Sequence, residues 1–212
     1  MCIRDRPQIG RNMKLTWDER YAEPGFAYGD TPNDYLREVA DRLPQGPVLC
    51  LGEGEGRNAV FLAEQGHEVL AVDSSRVGLD KTLKLAEARG VSVAVEQADL
   101  ADYSMQLGRW SGIVSIFCHL PPPIRQRIHR ASVGGLAPGG LFVLEAYRPA
   151  QLELGTGGPP SLPLLYELEV LRTELAGLDF ERAVELEREI HEGKYHQGIG
   201  AVVQILARNP SS

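Results

Sequence analysis

The stretch Val48-Leu49-Cys50-Leu51-Gly52-Glu53-Gly54-Glu55-Gly56-Arg57-Asn58 decides the fold. Its four apolar residues in a row are typical of a strand that is buried on both faces of a parallel sheet. The three glycines that follow allow the backbone to turn sharply and to approach a ligand. In α/β sheets, ligands bind at such turns, at the carboxyl ends of the strands. The stretch therefore predicts a strand, a ligand-binding turn and the start of a helix.

Strand-like and helix-like patterns alternate along the rest of the chain. The predicted strands are 48–51, 68–73, 91–95, 112–117, 141–145, 180–190 and 197–207, and the predicted helices are 32–43, 58–65, 75–90, 123–133 and 162–175. Because Glu192-Gly193-Lys194 is short enough to close a hairpin, the last two strands should be antiparallel neighbours. This order predicts the fold class α/β, with a right-handed, doubly wound, mostly parallel sheet and an antiparallel last strand.

Composition favours a single globular domain. The chain has 212 residues, of which 43% are hydrophobic, and a formal net charge of −7 at pH 7. Residues 1–12 lack apolar periodicity, so we expect a disordered or non-native tail before a domain at 13–212. The acidic balance disfavours nucleic acid and anionic membranes as partners, and no apolar run approaches the roughly 20 residues of a membrane span.

The cysteines favour a cytoplasmic location. Cys2, Cys50 and Cys118 have neither a pairing pattern nor the spacing of metal ligands, which suits a reducing compartment. No metal site is predicted, and a magnesium dependence of the catechol methyltransferase type is the alternative. The oligomeric state is not predicted by the sequence.

An acidic residue at the end of the second predicted strand narrows the ligand class. Asp73 follows the glycine turn by roughly 20 residues, the position from which a carboxylate reaches a ribose in this topology. The run from Gly54 to Ala59 also fits a dinucleotide fingerprint. A pyrophosphate, however, would meet Glu53 and Glu55, and one like charge at 4 Å costs roughly 4 kcal/mol near a protein surface. S-adenosylmethionine carries cationic groups and no phosphate, so the charges favour it. The remaining interpretation is that the glycines only form a turn.

Three segments carry a resemblance to a known family. The run from Val48 to Asp73, the segment Gln97-Ala98-Asp99-Leu100 and the segment Leu136-Ala137-Pro138-Gly139-Gly140 resemble class I S-adenosylmethionine-dependent methyltransferases. The run from Glu53 to Asn58, together with Phe26-Ala27-Tyr28-Gly29 and Pro32-Asn33, resembles the tellurite and thiopurine methyltransferase-like branch. The resemblance implies a Rossmann-like doubly wound seven-stranded sheet, with S-adenosyl-L-methionine as cofactor.

The resemblance also implies roles for individual residues. Glycines 52, 54 and 56 would hold the methionine part of the cofactor, Asp73 the ribose, and Asp99 with Leu100 the adenine. The predicted cofactor-binding residues are thus Gly52, Glu53, Gly54, Gly56, Asn58, Asp73, Ser74, Asp99, Leu100 and Phe117. One residue departs from the family, because Cys50 stands where an acidic residue commonly supports the loop. Without the resemblance, the position of Asp99 before a short loop favours a turn or cap residue over an adenine contact.

The fourth predicted strand leads into the segment expected to face the methyl acceptor. Phe117-Cys118-His119-Leu120-Pro121-Pro122-Pro123 lacks the Asn-Pro-Pro-Tyr motif of many methyltransferases that act on nucleic-acid or protein nitrogens. We therefore expect a small-molecule acceptor, such as a thiol, selenol or metalloid oxyanion. His119 is the candidate general base, and its alternative role is that of a histidine that shapes the pocket.

Other polar and aromatic residues receive structural interpretations. His191, Tyr195 and His196 lie beside the final turn and are interpreted as solvent-exposed, with contact to the acceptor site as the alternative. Arg125, Arg127 and Arg130 are interpreted as the exposed face of a helix. The aromatic residues Trp17, Tyr21, Phe26 and Tyr28 form either a lid over the cofactor or a hydrophobic strap on the sheet.

The sequence predicts an enzyme that transfers a methyl group by in-line displacement, in which alignment and exclusion of water contribute most. The alternatives are an NAD(P)-dependent oxidoreductase and a non-catalytic module that binds an adenosyl ligand.

Overall fold

The computed structural model describes residues 16–210, so the predicted tail at 1–12 lies outside the described residues. Seven strands form one sheet: β1 Pro47–Leu51, β2 Glu68–Asp73, β3 Ala94–Gln97, β4 Trp110–Ile116, β5 Leu136–Tyr147, β6 Asp179–Glu192 and β7 His196–Arg208. The α-helices are α1 Trp17–Tyr21, α2 Asp34–Val39, α3 Arg57–Glu64, α4 Arg76–Arg89, α5 Pro122–Gly135, α6 Gln151–Leu154 and α7 Leu168–Glu174.

The strand order is β3-β2-β1-β4-β5-β7-β6. Strands β1 to β5 pair in parallel, whereas β7 runs antiparallel to both β5 and β6. The predicted fold class is therefore confirmed, including the antiparallel last strand. The hairpin between β6 and β7 reverses the chain over three residues, which brings the start of β7 to the carboxyl edge of the parallel strands.

Strand β1 shows why the sheet is doubly wound. Val48 and Cys50 pack into a core with α2, α3 and α4, whereas Leu49 and Leu51 pack into a second core with α5 and α7. Successive side chains of a strand point to opposite faces, so a strand covered by helices on both sides must be apolar at every position. The continuous apolar run in β1 follows from this requirement.

The predicted helix at 162–175 is wrong in its first half. Leu162–Leu164 forms a single 3₁₀ turn, and an extended step separates it from α7. Within that step the Tyr166 backbone N–H donates to the Tyr147 carbonyl at 2.9 Å. Pro163 has no N–H to donate to a helix, and the buried ring of Tyr166 packs into the core.

No helix between residues 16 and 210 is long and apolar enough to cross a membrane.

The turn after β1 depends on close contacts at glycine. Gly56 precedes α3 with φ +90°, and a Cβ there would lie 2.7 Å from the Cα of Thr82 in α4. Gly90, the residue after α4, also has a positive φ of +69°, but a Cβ there would meet nothing within 4 Å. The two glycines share a left-handed backbone and differ in packing.

This difference gives a test of the packing between α3 and α4. Gly90→Ala should cost about 1–2 kcal/mol of unfolding free energy, the penalty for a left-handed L-residue. Gly56→Ala should cost about 1–3 kcal/mol more, because overpacking is added to the same penalty. Urea unfolding of both variants measures the difference, and equal losses would contradict the tight contact at Gly56.

Candidate active site

A cavity of about 820 Å³ lies at the carboxyl ends of the parallel strands. Nine of the eleven residues predicted for the site line it: Gly52, Glu53, Asn58, Asp73, Ser74, Asp99, Leu100, Phe117 and His119. The two others, Gly54 and Gly56, belong to the same loop but are not part of this lining. A Cβ on Gly54 would lie 2.5 Å from the Tyr21 hydroxyl. Their tight packing explains why these two positions are glycine, and direct cofactor contact stays a prediction for them.

Asp73 organises the loop as well as facing the cavity. Its Oδ2 accepts a hydrogen bond from the Gly54 N–H at 2.9 Å, and its Oδ1 accepts from the Ser75 N–H at 2.8 Å. Burial raises the pKa of Asp73, although these amides oppose the rise. Each carboxylate oxygen can accept a second hydrogen bond, so the side chain remains able to receive ribose hydroxyls.

Glu53 provides the loop support that Cys50 lacks. Its Oε1 accepts hydrogen bonds from the backbone N–H groups of Asn58 at 3.0 Å and Ala59 at 2.8 Å. These donors belong to the first turn of α3, where a negative charge is favoured by the helix dipole. Burial nevertheless raises the pKa of Glu53 to about 7. The support for the glycine loop that Cys50 cannot give therefore comes from Glu53, three residues further along the chain.

The residues at the predicted adenine end have two roles at once. Asp99 lines the cavity, and its Oδ1 also accepts from the Ala101 N–H at 2.8 Å, the geometry of a turn residue. Leu100 beside it is buried. The turn interpretation and the binding interpretation of Asp99 are therefore compatible.

The aromatic segment at the start of the domain is both anchored and part of the wall. Trp17, Tyr21 and Tyr28 line the cavity, whereas Phe26 packs against the core. Lys81 of α4 holds this segment through the carbonyls of Glu23 and Gly25 and through the Glu55 carboxylate. The segment is thus packed against the domain, as expected of a strap, and it also lines the cavity, as expected of a lid.

His119 lies in the cavity wall with both ring nitrogens engaged by backbone. Its Nδ1 lies 2.7 Å from the Leu164 carbonyl, and its Nε2 accepts from the Tyr147 N–H at 3.3 Å. Burial lowers the pKa of His119 to about 4, although the Leu164 contact opposes this. A ring held in this way has no free lone pair for an acceptor proton. The geometry favours the pocket-shaping role, and the role of general base stays a prediction.

The interpretation of 191–196 as a solvent-exposed turn is wrong for two of its residues. His191 is exposed, but Tyr195 lines the cavity, and His196 lines it with only 7% of its surface exposed. The topology contains the signal that could have found them. A hairpin that ends in an antiparallel strand returns the first residue of β7 to the carboxyl edge, beside the site.

Both acidic and basic residues line the cavity. Glu53, Asp73 and Asp99 line the cavity next to β1, β2 and β3. The charges of Arg20 and Arg57 act on His196, and that of Arg57 also acts on Glu53. A cationic sulfonium and ammonium suit the acidic residues, and a ribose suits the carboxylate of Asp73. Gly52 lines the cavity with φ +59°, and a Cβ there would lie 2.6 Å from the Cys118 Sγ. The residues present therefore fit S-adenosylmethionine.

The fold and the cavity define an α/β protein with a candidate ligand site at the carboxyl edge of its sheet, and part of the chain matches a known family. Residues 48–140 match the family described as "Methyltransferase domain". This segment runs from β1 into β5 and includes the glycine loop, Asp73 and Asp99. Residues 48–140 are thus similar to a methyltransferase domain, over less than half of the chain.

Individual relatives cover parts of the chain. It is 26% identical over 141 residues to the 2-heptyl-1-hydroxyquinolin-4(1H)-one methyltransferase of Mycobacteroides abscessus, a match covering 65% of this chain and 62% of that protein. It is 43% identical over 60 residues to the tRNA 5-carboxymethoxyuridine methyltransferase of Escherichia coli K12, covering 28% of this chain and 23% of that protein. The chain thus spans less than two thirds of both relatives.

A solved structure has a similar fold. TehB from Haemophilus influenzae superimposes with a TM-score of 0.69 at 19% identity, over 82% of this chain and 61% of that one. At this identity the similarity concerns the fold.

The raised pKa of Glu53 predicts a pH dependence of cofactor binding. A bound cation favours the carboxylate, so binding near pH 7 should release a proton and weaken as the pH falls. Between pH 8 and pH 6 the dissociation constant of S-adenosylmethionine should rise, by up to about tenfold per unit below the pKa.

Calorimetric titrations at several pH values measure this slope. Glu53→Gln should flatten it, whereas Glu96→Gln, which alters an exposed residue of β3, should leave it unchanged. A slope that persists in Glu53→Gln would assign the released proton to another group.

Proposed function

We propose that this chain is an S-adenosylmethionine-dependent methyltransferase that acts on a small-molecule acceptor. The observation that carries the proposal is the arrangement of Glu53 and Asp73 around one cavity large enough to be a binding site for small molecules. The match of residues 48–140 to a methyltransferase domain supports the same conclusion.

The use of helix α3 argues against an NAD(P)-dependent oxidoreductase. A dinucleotide places its pyrophosphate at the N-terminus of this helix, where free N–H groups receive it. Here the N–H groups of Asn58 and Ala59 already donate to the Glu53 carboxylate. A phosphate would have to displace that carboxylate and would meet its charge. The loop is therefore suited to a ligand without phosphate.

The residues of the cavity indicate how the reaction proceeds. The cofactor supplies a methyl group activated by the positive charge on its sulfur. Asp73 and Asp99 hold the adenosyl part, and the glycine loop holds the amino acid part. Phe117, with φ +50°, lines the cavity with its ring stacked on Tyr147. Strain of this kind persists where the surrounding structure imposes it, often at functional sites. Alignment of the acceptor and exclusion of water then provide most of the acceleration.

The acceptor is proposed to be small and partly aromatic or apolar. The relative from Mycobacteroides abscessus is named for a hydroxyquinolone. Aromatic rings of Tyr28, Phe117 and Tyr195 line the cavity, which suits a planar acceptor. The tellurite and thiopurine-like branch has support from the fold of TehB only. The net charge of −7 disfavours a nucleic-acid acceptor. One relative, which matches this chain over 60 residues, is nevertheless a tRNA methyltransferase.

Cofactor binding is tested by removing the carboxylate that faces the ribose. Asp73→Ala should weaken S-adenosylmethionine binding by about 1.5–3 kcal/mol, the worth of hydrogen bonds to a charged group. Calorimetry measures the loss, and Asp102→Ala, at an exposed neighbouring loop position, serves as a control. Native mass spectrometry of the purified protein identifies the class of ligand. Bound NAD(P), or an unchanged affinity in Asp73→Ala, would refute the proposed function.

A further inference from the structure

His196 lines the cavity on the side away from Asp99, the predicted adenine contact. It begins β7, whereas Asp99 follows β3, and four strands separate β3 from β7 in the sheet. Its ring is surrounded by three aromatic rings, with centroids 4.6 Å away for Tyr28, 4.7 Å for Phe117 and 5.2 Å for Tyr147. A histidine in this position faces the region left for an acceptor.

A carboxylate stands behind the ring. The His196 Nδ1 lies 3.8 Å from the Glu192 Oε2, and within residues 16–210 it has no hydrogen-bond partner. The Glu192 carboxylate is fixed from two sides, by Arg57 at 2.6 Å and by the Asn33 amide at 2.9 Å. Burial alone would raise the pKa of Glu192, but His196, Arg57 and Arg188 together lower it to about 2. An ionised, immobile carboxylate is therefore within a small ring rotation of Nδ1.

The groups around the ring keep it neutral at physiological pH. Burial lowers the pKa of His196, and the charges of Arg57 on α3 and Arg20 on α1 add to this effect, whereas Glu192 on β6 opposes it. The remaining titratable groups around the ring are uncharged near pH 7: the hydroxyls of Tyr28 and Tyr147 and the ring of His119. In a neutral imidazole whose Nδ1 carries the proton next to a carboxylate, Nε2 keeps a basic lone pair.

We propose that His196, oriented by Glu192, is the general base of this cavity and serves acceptors whose reacting oxygen or nitrogen carries a proton at neutral pH. The inference rests on the proposed function. For a hydroxyl acceptor, the proton passes to Nε2 of His196 and the oxygen forms the bond to the methyl carbon. The carbon–sulfur bond breaks with its electron pair left on sulfur, and the imidazolium returns its proton to solvent. His119 cannot take this role without losing its bond from the Tyr147 N–H.

The protonation state of the ring can be read without turnover. Nitrogen-15 NMR of the ¹⁵N-histidine-labelled protein, with the signal assigned by its loss in His196→Gln, should show Nδ1 protonated and Nε2 free at pH 7.5. The pKa should lie below 6.5, and Glu192→Gln should lower it by about one unit or more, because an opposite charge is removed. A ring protonated at Nε2 in the unaltered protein would overturn the proposal, whether or not Glu192→Gln folds.

Turnover then separates a base from a residue that only shapes the pocket. The probes are 4-methylphenol, whose oxygen keeps its proton at neutral pH, and 4-nitrothiophenol, whose thiol is ionised at neutral pH. His196→Gln should lower kcat for the hydroxyl probe by roughly 10²–10⁴-fold and leave the thiolate probe within a few-fold. The matched control His191→Gln alters an exposed histidine of the same hairpin and should affect neither.

Equal losses with both probes would reduce His196 to a structural residue. If neither probe is methylated, the NMR tautomer decides the proposal. Failure to bind S-adenosylmethionine in calorimetry would instead remove the proposed function, so the two failures are distinguishable.

Discussion

Two buried carboxylates, Glu145 of β5 and Glu192 of β6, hold together the elements that enclose the cavity. Glu145 is fully buried and accepts hydrogen bonds from Asn33, Arg188 and Gln204, and Glu192 accepts from Asn33, Arg188 and Arg57. Replacing such an ion pair by apolar residues is often neutral, but losing one partner leaves an unpaired buried charge and costs about 3–5 kcal/mol. The network therefore contributes less to stability than to fixing one geometry. Asn33 also caps α2, so the first part of the domain is positioned by the same two groups.

The network also affects the charge next to the glycine loop. Arg57 begins α3, directly after the glycine loop, and its guanidinium reaches Glu192 on the far hairpin. The carboxylate of Glu192 thereby neutralises a cation that would otherwise disfavour a sulfonium beside it. Glu53 and Asp73, on the other side of the loop, remain available to the cofactor. The pair between Arg57 and Glu192 thus offsets a positive charge that directly follows the glycine loop.

The features of the structure that depend on residues close together in the sequence are predictable. The continuous apolar run of β1 and the short turn between β6 and β7 determine the parallel core and the antiparallel last strand. Long-range pairing was not predictable. Arg125 was expected on an exposed helix face, yet it is buried in a pair with Glu174, 49 residues further on. A helical pattern reports which side is apolar, but it does not report which charges meet a partner from another element. The same limit hid the contact between Arg57 and Glu192, which are 135 residues apart.

A single side chain, that of Glu53, changes which ligand the loop of this common fold favours, a dinucleotide or S-adenosylmethionine. The glycine spacing from Gly54 to Gly56 is compatible with either ligand, so it does not choose between them. The choice depends on what the first N–H groups of α3 bind. When they are free, the helix N-terminus attracts a phosphate. When the chain supplies its own carboxylate, as Glu53 does here, those donors are occupied and the loop presents negative charge instead. The acidic residues of this loop therefore carry more information about the ligand than its glycines do, because the glycines determine only how closely a ligand can approach.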